Sequence, residues 1–479
     1  MNGIELRSVH CDTTQEITDV CIHSDAVEPG ALFVALRGER SDGADYIAQA
    51  LDRGAVCIVT ERAVENCPCV VVSDARAALA KLAKAWYGDP ASQMKIVGIT
   101  GTNGKTTTTH LLKEIIERCL GVRVGLIGTN HVLIGDEVLP AERTTPDALT
   151  LMRLFRRMAD AGCAYVVMEV SSHALVQERV AGIWFDAAVF TNLTQDHLDY
   201  HATMEDYCDA KARIFRQCTM AVCNGDDEWC ARMLRDAPCD NILYGQKFSA
   251  DIVGWRPAYT PRGVSFTAVS DNDAAEAQLA IPGVFSLYNA LAAIAAATAL
   301  GIPLGHACRA LAACGGVRGR AEIVECGAPF TVLIDYAHTP DALSNILGAL
   351  AGFSEGRIIT VFGCGGERDR AKRPLMGAIA AEKSDFVVLT SDNPRGENAY
   401  TILREIFAGM AQSETPFAVI EDRRTAIAFA LDIACAGDVV ALCGKGHETY
   451  QIVGSETRTF DEREVVREYF AKKCAVRGK

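Results

Sequence analysis

Residues 98–107 read Gly-Ile-Thr-Gly-Thr-Asn-Gly-Lys-Thr-Thr. They stand between the apolar run Ile96-Val97-Gly98-Ile99 and a stretch with apolar residues at helical spacing, Leu111-Leu112 and Ile115-Ile116. A glycine-rich turn that joins a strand to a helix commits the surrounding chain to an α/β layer, with the turn at the carboxyl edge of a parallel sheet. The same turn is an anion cradle. Backbone N–H groups at a helix N-terminus favour phosphate oxygens, Lys105 is placed to reach the β- and γ-phosphates, and Thr106 to put a hydroxyl on Mg²⁺. Gly101, Thr102, Asn103, Gly104, Lys105, Thr106 and Thr107 are therefore read as an ATP-binding loop. The general Walker pattern needs glycine five residues before Gly104, where this chain has Ile99.

The 479 residues suffice for about three domains. Turn residues at Gly88-Asp89-Pro90 and Gly315-Gly316-Val317-Arg318-Gly319 mark the boundaries, and strand-like runs alternate with helical patterns throughout. The expected fold is α/β in three parts. Residues 1–88 form a small N-terminal α/β domain, 89–317 a central P-loop parallel-sheet ATPase domain, and 318–479 a C-terminal Rossmann-like α/β domain. A net charge of −14 argues against a nucleic-acid partner. No apolar stretch reaches the roughly 18 residues of a membrane span, and Met1 to Leu6 lack the basic and apolar segments of a leader. The expectation is a cytoplasmic monomer with small-molecule partners and no membrane insertion. Of 19 cysteines only Cys67 and Cys69 lie close together, which reads as buried thiols in a reducing compartment.

Further polar groups fall where parallel strands would end. Glu169 follows Tyr165-Val166-Val167-Met168 and is either a ligand for nucleotide-bound Mg²⁺ or a solvated strand-end glutamate. Thr191 to His201 pack carboxylates, an amide and two imidazoles into one segment, and Lys211 follows on a helical pattern whose periodicity alone makes it a surface lysine. Three more apolar runs end in distinctive turns: Gly363-Cys364-Gly365-Gly366-Glu367-Arg368, Asp392-Asn393-Pro394-Arg395 and Gly444-Lys445-Gly446-His447-Glu448. Carboxyl ends of neighbouring parallel strands would bring all three to one crevice. A dinucleotide fingerprint on Gly363 fails because Arg368 stands where glycine is needed. A P-loop switch ATPase stays open on the phosphate loop alone, but leaves the Asp392 turn without a purpose.

Taken in order, Thr100 to Thr106, Glu169-Val170-Ser171-Ser172-His173, Asp196-His197-Leu198-Asp199-Tyr200-His201, Tyr288-Asn289, Gly319-Arg320, Asp335-Tyr336-Ala337-His338-Thr339-Pro340, Gly363 to Gly366 and Asp392 to Arg395 resemble the motifs of the Mur ligases of peptidoglycan synthesis. The resemblance runs end to end and is strongest to members that add the third amino acid. It implies ATP-dependent amide formation through an acyl phosphate, with UDP-MurNAc-L-Ala-D-Glu, meso-diaminopimelate and ATP as partners. It also implies that Lys105, Lys211 and His197 are catalytic, and that Asn289, Arg320 and Asp335 join the loop in holding ATP. Thr106, Glu169, His197 and Lys211 would hold Mg²⁺, two ions in all, with Lys211 carbamylated by CO₂ and so converted from a cation to a carboxylate. Ser24, Glu39, Arg40, Ser41, Thr144, Thr145, Ser171, Gln177 and Arg179 would grip the UDP-dipeptide. Arg368, Asp392, Asn393, Pro394, Arg395, Gly444 and Glu448 would bind diaminopimelate. The resemblance also implies that Arg395 would sort substrates, because diaminopimelate carries a second carboxylate that a guanidinium takes through two parallel hydrogen bonds, whereas lysine-adding relatives lack this arginine. Glu448 would take the distal ammonium, and His338 is a candidate base. Lysine-adding, D-Ala-D-Ala-adding and folylpolyglutamate-type ligases are the neighbouring readings. Arg143, Gln195 and His23-Ser24-Asp25 depart from the family's usual residues.

Overall fold

The computed structural model describes residues 4–38, 41–197, 200–260, 262–352 and 354–477. Glu39 and Arg40, expected at the uridine end, lie outside the described residues, as do Leu198 and Asp199. Among the described residues the strands form three large sheets and one hairpin, each large sheet within one of the three segments drawn from the sequence.

The first sheet runs in space Leu6–His10, Cys69–Val72, Cys57–Thr60, Leu32–Val34, Val20–Cys21, parallel except for the edge strand Leu6–His10. Helix Ala75–Trp86 covers it. Asp74 starts that helix by accepting the N–H groups of Arg76 and Ala77, and Ala75, Ala78, Leu79 and Ala83 form its buried face.

The central sheet has eleven strands, and Lys95–Thr100 lies between Cys163–Glu169 on one side and Phe185–Phe190 on the other. From Lys95–Thr100 the chain passes to Arg123–Ile127, returns to fill the gap with Cys163–Glu169, and then crosses to Phe185–Phe190. The winding direction thus reverses at Lys95–Thr100, and the phosphate loop leaves the sheet at its switch point, where open α/β sheets bind ligands. Helices cover both faces of this strand, so Ile96, Val97, Gly98, Ile99 and Thr100 are all buried, as a parallel core strand requires. Ile99 pairs with Glu169 and Val189, which accounts for the missing Walker glycine: that position is still strand. The alanine-rich helix Val284–Ala299 packs against Lys105–Leu120 and is buried over almost its whole length.

In the C-terminal sheet the order is Glu322–Ile323, Thr331–Asp335, Val439–Cys443, Ile358–Phe362, Phe386–Leu389, Phe417–Val419. Only Glu322–Ile323 is antiparallel. The alternation with helices is Rossmann-like, while the last parallel strand, Val439–Cys443, inserts between the first two. That insertion puts the carboxyl ends of Val439–Cys443, Ile358–Phe362 and Phe386–Leu389 side by side, so the three polar turns emerge on one edge. The 18 cysteines whose side chains are described are free thiols, most of them buried. No helix among them is long and apolar enough to cross a membrane.

Candidate active site

Both loop glycines are required by shape. Gly101 has φ +144°, and a Cβ there would come within 1.9 Å of Thr191 Oγ1; Gly104 has φ +85° and would meet Asn289 Oδ1 at 2.2 Å. The loop is pinned by N–H donation from Thr102 to the Asn192 carbonyl (2.8 Å) and from Asn103 to Asn192 Oδ1 (2.9 Å). Lys105 opens the following helix and folds its Nζ back onto the carbonyls of Gly101 and Thr102, each at 2.9 Å. Asn289 is thereby placed against the loop.

Glu169 is no solvated strand-end residue, for it is 1% exposed. Its Oε1 accepts from Thr106 Oγ1 (2.9 Å) and the Thr129 N–H (2.8 Å), and its Oε2 from Thr129 Oγ1 (2.9 Å). Lys211 overturns the periodicity reading as well. Helix Met204–Ala212 turns it inward, it is 1% exposed, and its Nζ donates to the Gly101 carbonyl at 2.9 Å beside the Tyr207 ring. Burial, reinforced by the charge of Lys105, pushes its amine well below the usual lysine range. Hydrophobic spacing misses such a residue because its partner is a backbone carbonyl more than a hundred positions away.

His197, at φ +54°, packs edge-on against His173, and its Nε2 lies 3.4 Å from Asp196 Oδ2. Burial alone would raise Asp196, but His197, His338 and Lys105 outweigh it and hold the carboxyl low. Among the described residues no three His, Cys, Asp or Glu side chains already form a metal cluster. The donor chemistry nonetheless fits Mg²⁺. The Thr106 hydroxyl and Glu169 carboxylate are hard oxygen donors in contact, and Lys211, an amine as it stands, becomes one more only as a carbamate. From the C-terminal domain Arg320 Nη2 donates to Thr106 Oγ1 (3.1 Å), while its Nε is buried without a partner. Asp335 Oδ2 accepts the Ala321 N–H at 2.7 Å, and burial raises its carboxyl.

A cavity of about 520 Å³ opens between the central and C-terminal domains. Thr194, Gln195, Asp196 and His197 line one side; Arg368, Asp392, Asn393, Arg395, Gly444 and Glu448 line the other. Of the expected amino-acid residues only Pro394 is absent from the lining, and its carbonyl packs so tightly on Gly366 that a Cβ there would meet it at 1.9 Å. Gly444, at φ +112°, leaves room for Asp392 Oδ2, a buried oxygen with no partner. Arg395 is held at φ +51° by the hairpin Tyr450–Val453 and Glu456–Thr459: its N–H donates to the Ile452 carbonyl (3.1 Å) and its carbonyl accepts from Gly454 (2.8 Å). His338 lies on the cavity wall with Nδ1 2.8 Å from the Tyr336 carbonyl.

The expected dipeptide residues gather behind Glu169. Thr145 Oγ1 donates to the Glu169 carbonyl (2.9 Å) and accepts the Ser171 N–H (3.1 Å), and Thr144 Oγ1 lies 3.0 Å from Thr129 Oγ1. Ser171 caps helix Ser172–Val176, and Arg179 spans the Thr145 carbonyl and Gln177 Oε1, both at 2.7 Å. Ser24 belongs to the N-terminal domain, where its hydroxyl donates to Gln49 Oε1 (2.8 Å); Ser41 is exposed in that domain. Two residues of the site escaped the sequence reading. Asp341 adjoins a motif that was read, and Lys445 lies inside one, but neither has a local pattern that predicts its partners.

Sequence profiles match three segments: "Mur ligase family, catalytic domain" at residues 16–87, "Mur ligase middle domain" at 99–297, and "Mur ligase, glutamate ligase domain" at 319–446. The chain is similar to a UDP-N-acetylmuramoyl-L-alanyl-D-glutamate--2,6-diaminopimelate ligase of Caldanaerobacter subterraneus subsp. tengcongensis, at 47% identity over 461 residues and 95% of each chain. The enzyme of the same name from Geobacillus thermodenitrificans is 45% identical over 469 residues, covering 96% of each. A solved structure of a ligase of that name has a TM-score of 0.70 and 32% identity, covering 96% of this chain and 95% of its own. A MurF ligase from Thermotoga maritima in complex with ADP shares the fold, with a TM-score of 0.65 at 22% identity over 97% of this chain and 99% of its own.

Proposed function

The chain belongs to the Mur ligase family, and from that premise we propose that it joins meso-diaminopimelate to the γ-carboxylate of the D-glutamate in UDP-MurNAc-L-Ala-D-Glu at the expense of ATP. The observation that carries the amino-acid choice is Arg395, fixed by the hairpin on the wall of the interdomain cavity that Asp196 and His197 face from the other side. Diaminopimelate differs from lysine by one carboxylate, and a guanidinium is the group that binds it in two parallel bonds.

A carboxylate resists amine attack until its oxygen becomes a leaving group. The γ-phosphoryl group of ATP is transferred to the D-glutamate carboxylate, forming an acyl phosphate and ADP. Lys105 and the loop N–H groups hold the phosphates, and Arg320 brings positive charge to Thr106 from the opposite domain. Mg²⁺, held by Thr106, Glu169, His197 and carbamylated Lys211, would neutralise charge on the phosphoryl oxygens. The neutral α-amine of diaminopimelate then adds to the acyl carbon, phosphate departs with the C–O bond, and the amine's proton is lost to solvent or to His338. The two domains enclose this carbon between the loop and the Asp392 turn and keep water from the acyl phosphate. The enzyme acts as a monomer in the cytoplasm, in peptidoglycan synthesis. A switch ATPase would have no use for an arginine-bearing amino-acid pocket beside its phosphate loop.

The test is a product assay with UDP-MurNAc-L-Ala-D-Glu, ATP and either diaminopimelate or lysine. A UDP-tripeptide formed from diaminopimelate with ADP and phosphate is expected; equal use of lysine overturns the amino-acid assignment, and ATP hydrolysis independent of both acceptors overturns the ligase.

A further inference from the structure

Lys445 is fully buried behind the wall of the amino-acid pocket, an unusual place for a lysine unless its charge is used. Its Nζ donates to Glu448 Oε2 (2.9 Å) and to Asn393 Oδ1 (3.1 Å) and lies over the Tyr450 ring at 5.7 Å. Asn393 closes the triangle by donating Nδ2 to the same Glu448 oxygen at 2.9 Å, and its Oδ1 also accepts the Ile452 N–H at 3.0 Å. Asn393 and Glu448 line the cavity and Lys445 does not. Lys445 therefore meets the amino acid only through these two side chains.

We infer that Lys445 is a specificity-determining residue, a fixed positive charge that balances Glu448 so that the pocket prefers an amino acid with a zwitterionic distal end. The inference rests on the diaminopimelate reading above. Two carboxylates, Asp392 and Glu448, reach this wall, and one of them must face the distal ammonium while Arg395 faces the distal carboxylate. With Lys445 in place the Glu448 carboxylate is already paired once, so its field on a substrate carboxylate a few ångströms off is largely cancelled. Without Lys445, Glu448 is an uncompensated anion. It attracts the cationic distal end of lysine and repels the second carboxylate of diaminopimelate, and it is also free to leave its bond to Asn393. Specificity between two substrates follows from such a difference, and a like charge set against the wrong one is an effective way to make it. Lys445 thus acts on the same wall of the pocket as Arg395 but by a different means, since it never touches the carboxylate it admits.

The test uses the full-length enzyme with Lys445→Met, which keeps an unbranched chain one atom shorter and loses the charge, and Lys445→Arg, which keeps the charge. For Lys445→Met the KM for diaminopimelate is expected to rise about ten-fold or more, the size of a lost charge-assisted hydrogen bond. The ratio of kcat/KM for lysine over diaminopimelate should rise with it, while the KM for ATP stays within about two-fold. Lys445→Arg should recover most of the preference. In Glu448→Gln the charge to be balanced is gone, so adding Lys445→Met should no longer move the lysine ratio. A lysine ratio unchanged in Lys445→Met, or KM values for ATP and diaminopimelate that rise together, overturns the proposal. A wild-type enzyme that adds no diaminopimelate overturns the parent reading instead, and with it this one.

Discussion

Lys105 and Lys211 donate to the same acceptor, each placing its Nζ 2.9 Å from the Gly101 carbonyl oxygen. Two ammonium groups on one carbonyl repel, and the pair is relieved if one is neutral. Burial lowers both amines, and it drives Lys211, with the charge of Lys105 beside it, well below the usual range. A neutral, fixed amine is the form that adds to CO₂, and the carbamate formed would turn the repulsion into attraction. Labelled bicarbonate should therefore give a carbamate carbon resonance on the wild-type enzyme and none on Lys211→Met. Activity of Lys211→Met should fall at least about 100-fold, as for loss of a metal-site residue. An unlabelled wild type, or a fully active variant, ends the idea.

Arg395→Ala should raise the KM for diaminopimelate roughly 10- to 100-fold, since each hydrogen bond to a charged group is worth about 1.5–3 kcal/mol. Its Nη1 is committed to the Gly366 carbonyl at 2.9 Å, so the side chain is already aimed before substrate arrives. Arg395→Lys should recover little, because a point charge lacks the fork. Steady-state kinetics with each substrate varied decides it: equal rises for ATP and diaminopimelate would mean that the turn, and not the guanidinium, was damaged.

His110 and His131 face each other nitrogen to nitrogen at 3.3 Å, with His110 Nδ1 2.7 Å from the Thr106 carbonyl. Burial lowers His110 to about 4 and lowers His131 as well. The unfolded chain takes up protons near 6.5 that the folded pair refuses, so stability is intact above that pH and is lost as pH falls from 6.5 towards 4. His110 alone accounts for a loss of up to about 3 kcal/mol at the acid end. Urea unfolding of the central domain at pH 7 and pH 4.5 should show the drop, and His110→Gln should flatten it. The same slope in that variant would exclude His110.

The phosphate loop, Glu169 and the three C-terminal turns were legible because each is a local event: glycines where a strand ends, or a polar cluster after an apolar run. Their convergence was legible too, through the rule that parallel strands end on one edge, although the sequence did not reveal that Val439–Cys443 inserts beside Ile358–Phe362. The burial of Lys211 and Lys445 was hidden, since both lysines owe it to partners set by tertiary packing. Ile99 taught the converse lesson. What read as a misplaced glycine in the loop is a core residue of the strand before it.

Asp341 carries the last prediction. One of its oxygens, Oδ2, accepts from Asn103 Nδ2 (2.6 Å) in the phosphate loop and from Thr194 Oγ1 (3.1 Å) after the neighbouring strand. Asp341 is the second residue of helix Pro340–Ala351, which Thr339 caps, so a single carboxylate of the C-terminal domain holds both the phosphate loop and the Thr194 segment that lines the cavity. Asp341→Ala removes the acceptor from both donors at once. Because the bonds cross a domain junction and not a core, the loss should appear in domain positioning before it appears in overall stability. We expect kcat to fall about ten-fold or more, hydrogen exchange in Pro340–Ala351 to quicken, and the thermal midpoint to move by only a few degrees. Asp341→Asn keeps a neutral acceptor and should retain part of the rate. Unchanged exchange with unchanged kcat would mean that the contact is incidental and that Arg320 at Thr106 suffices to hold the domains together.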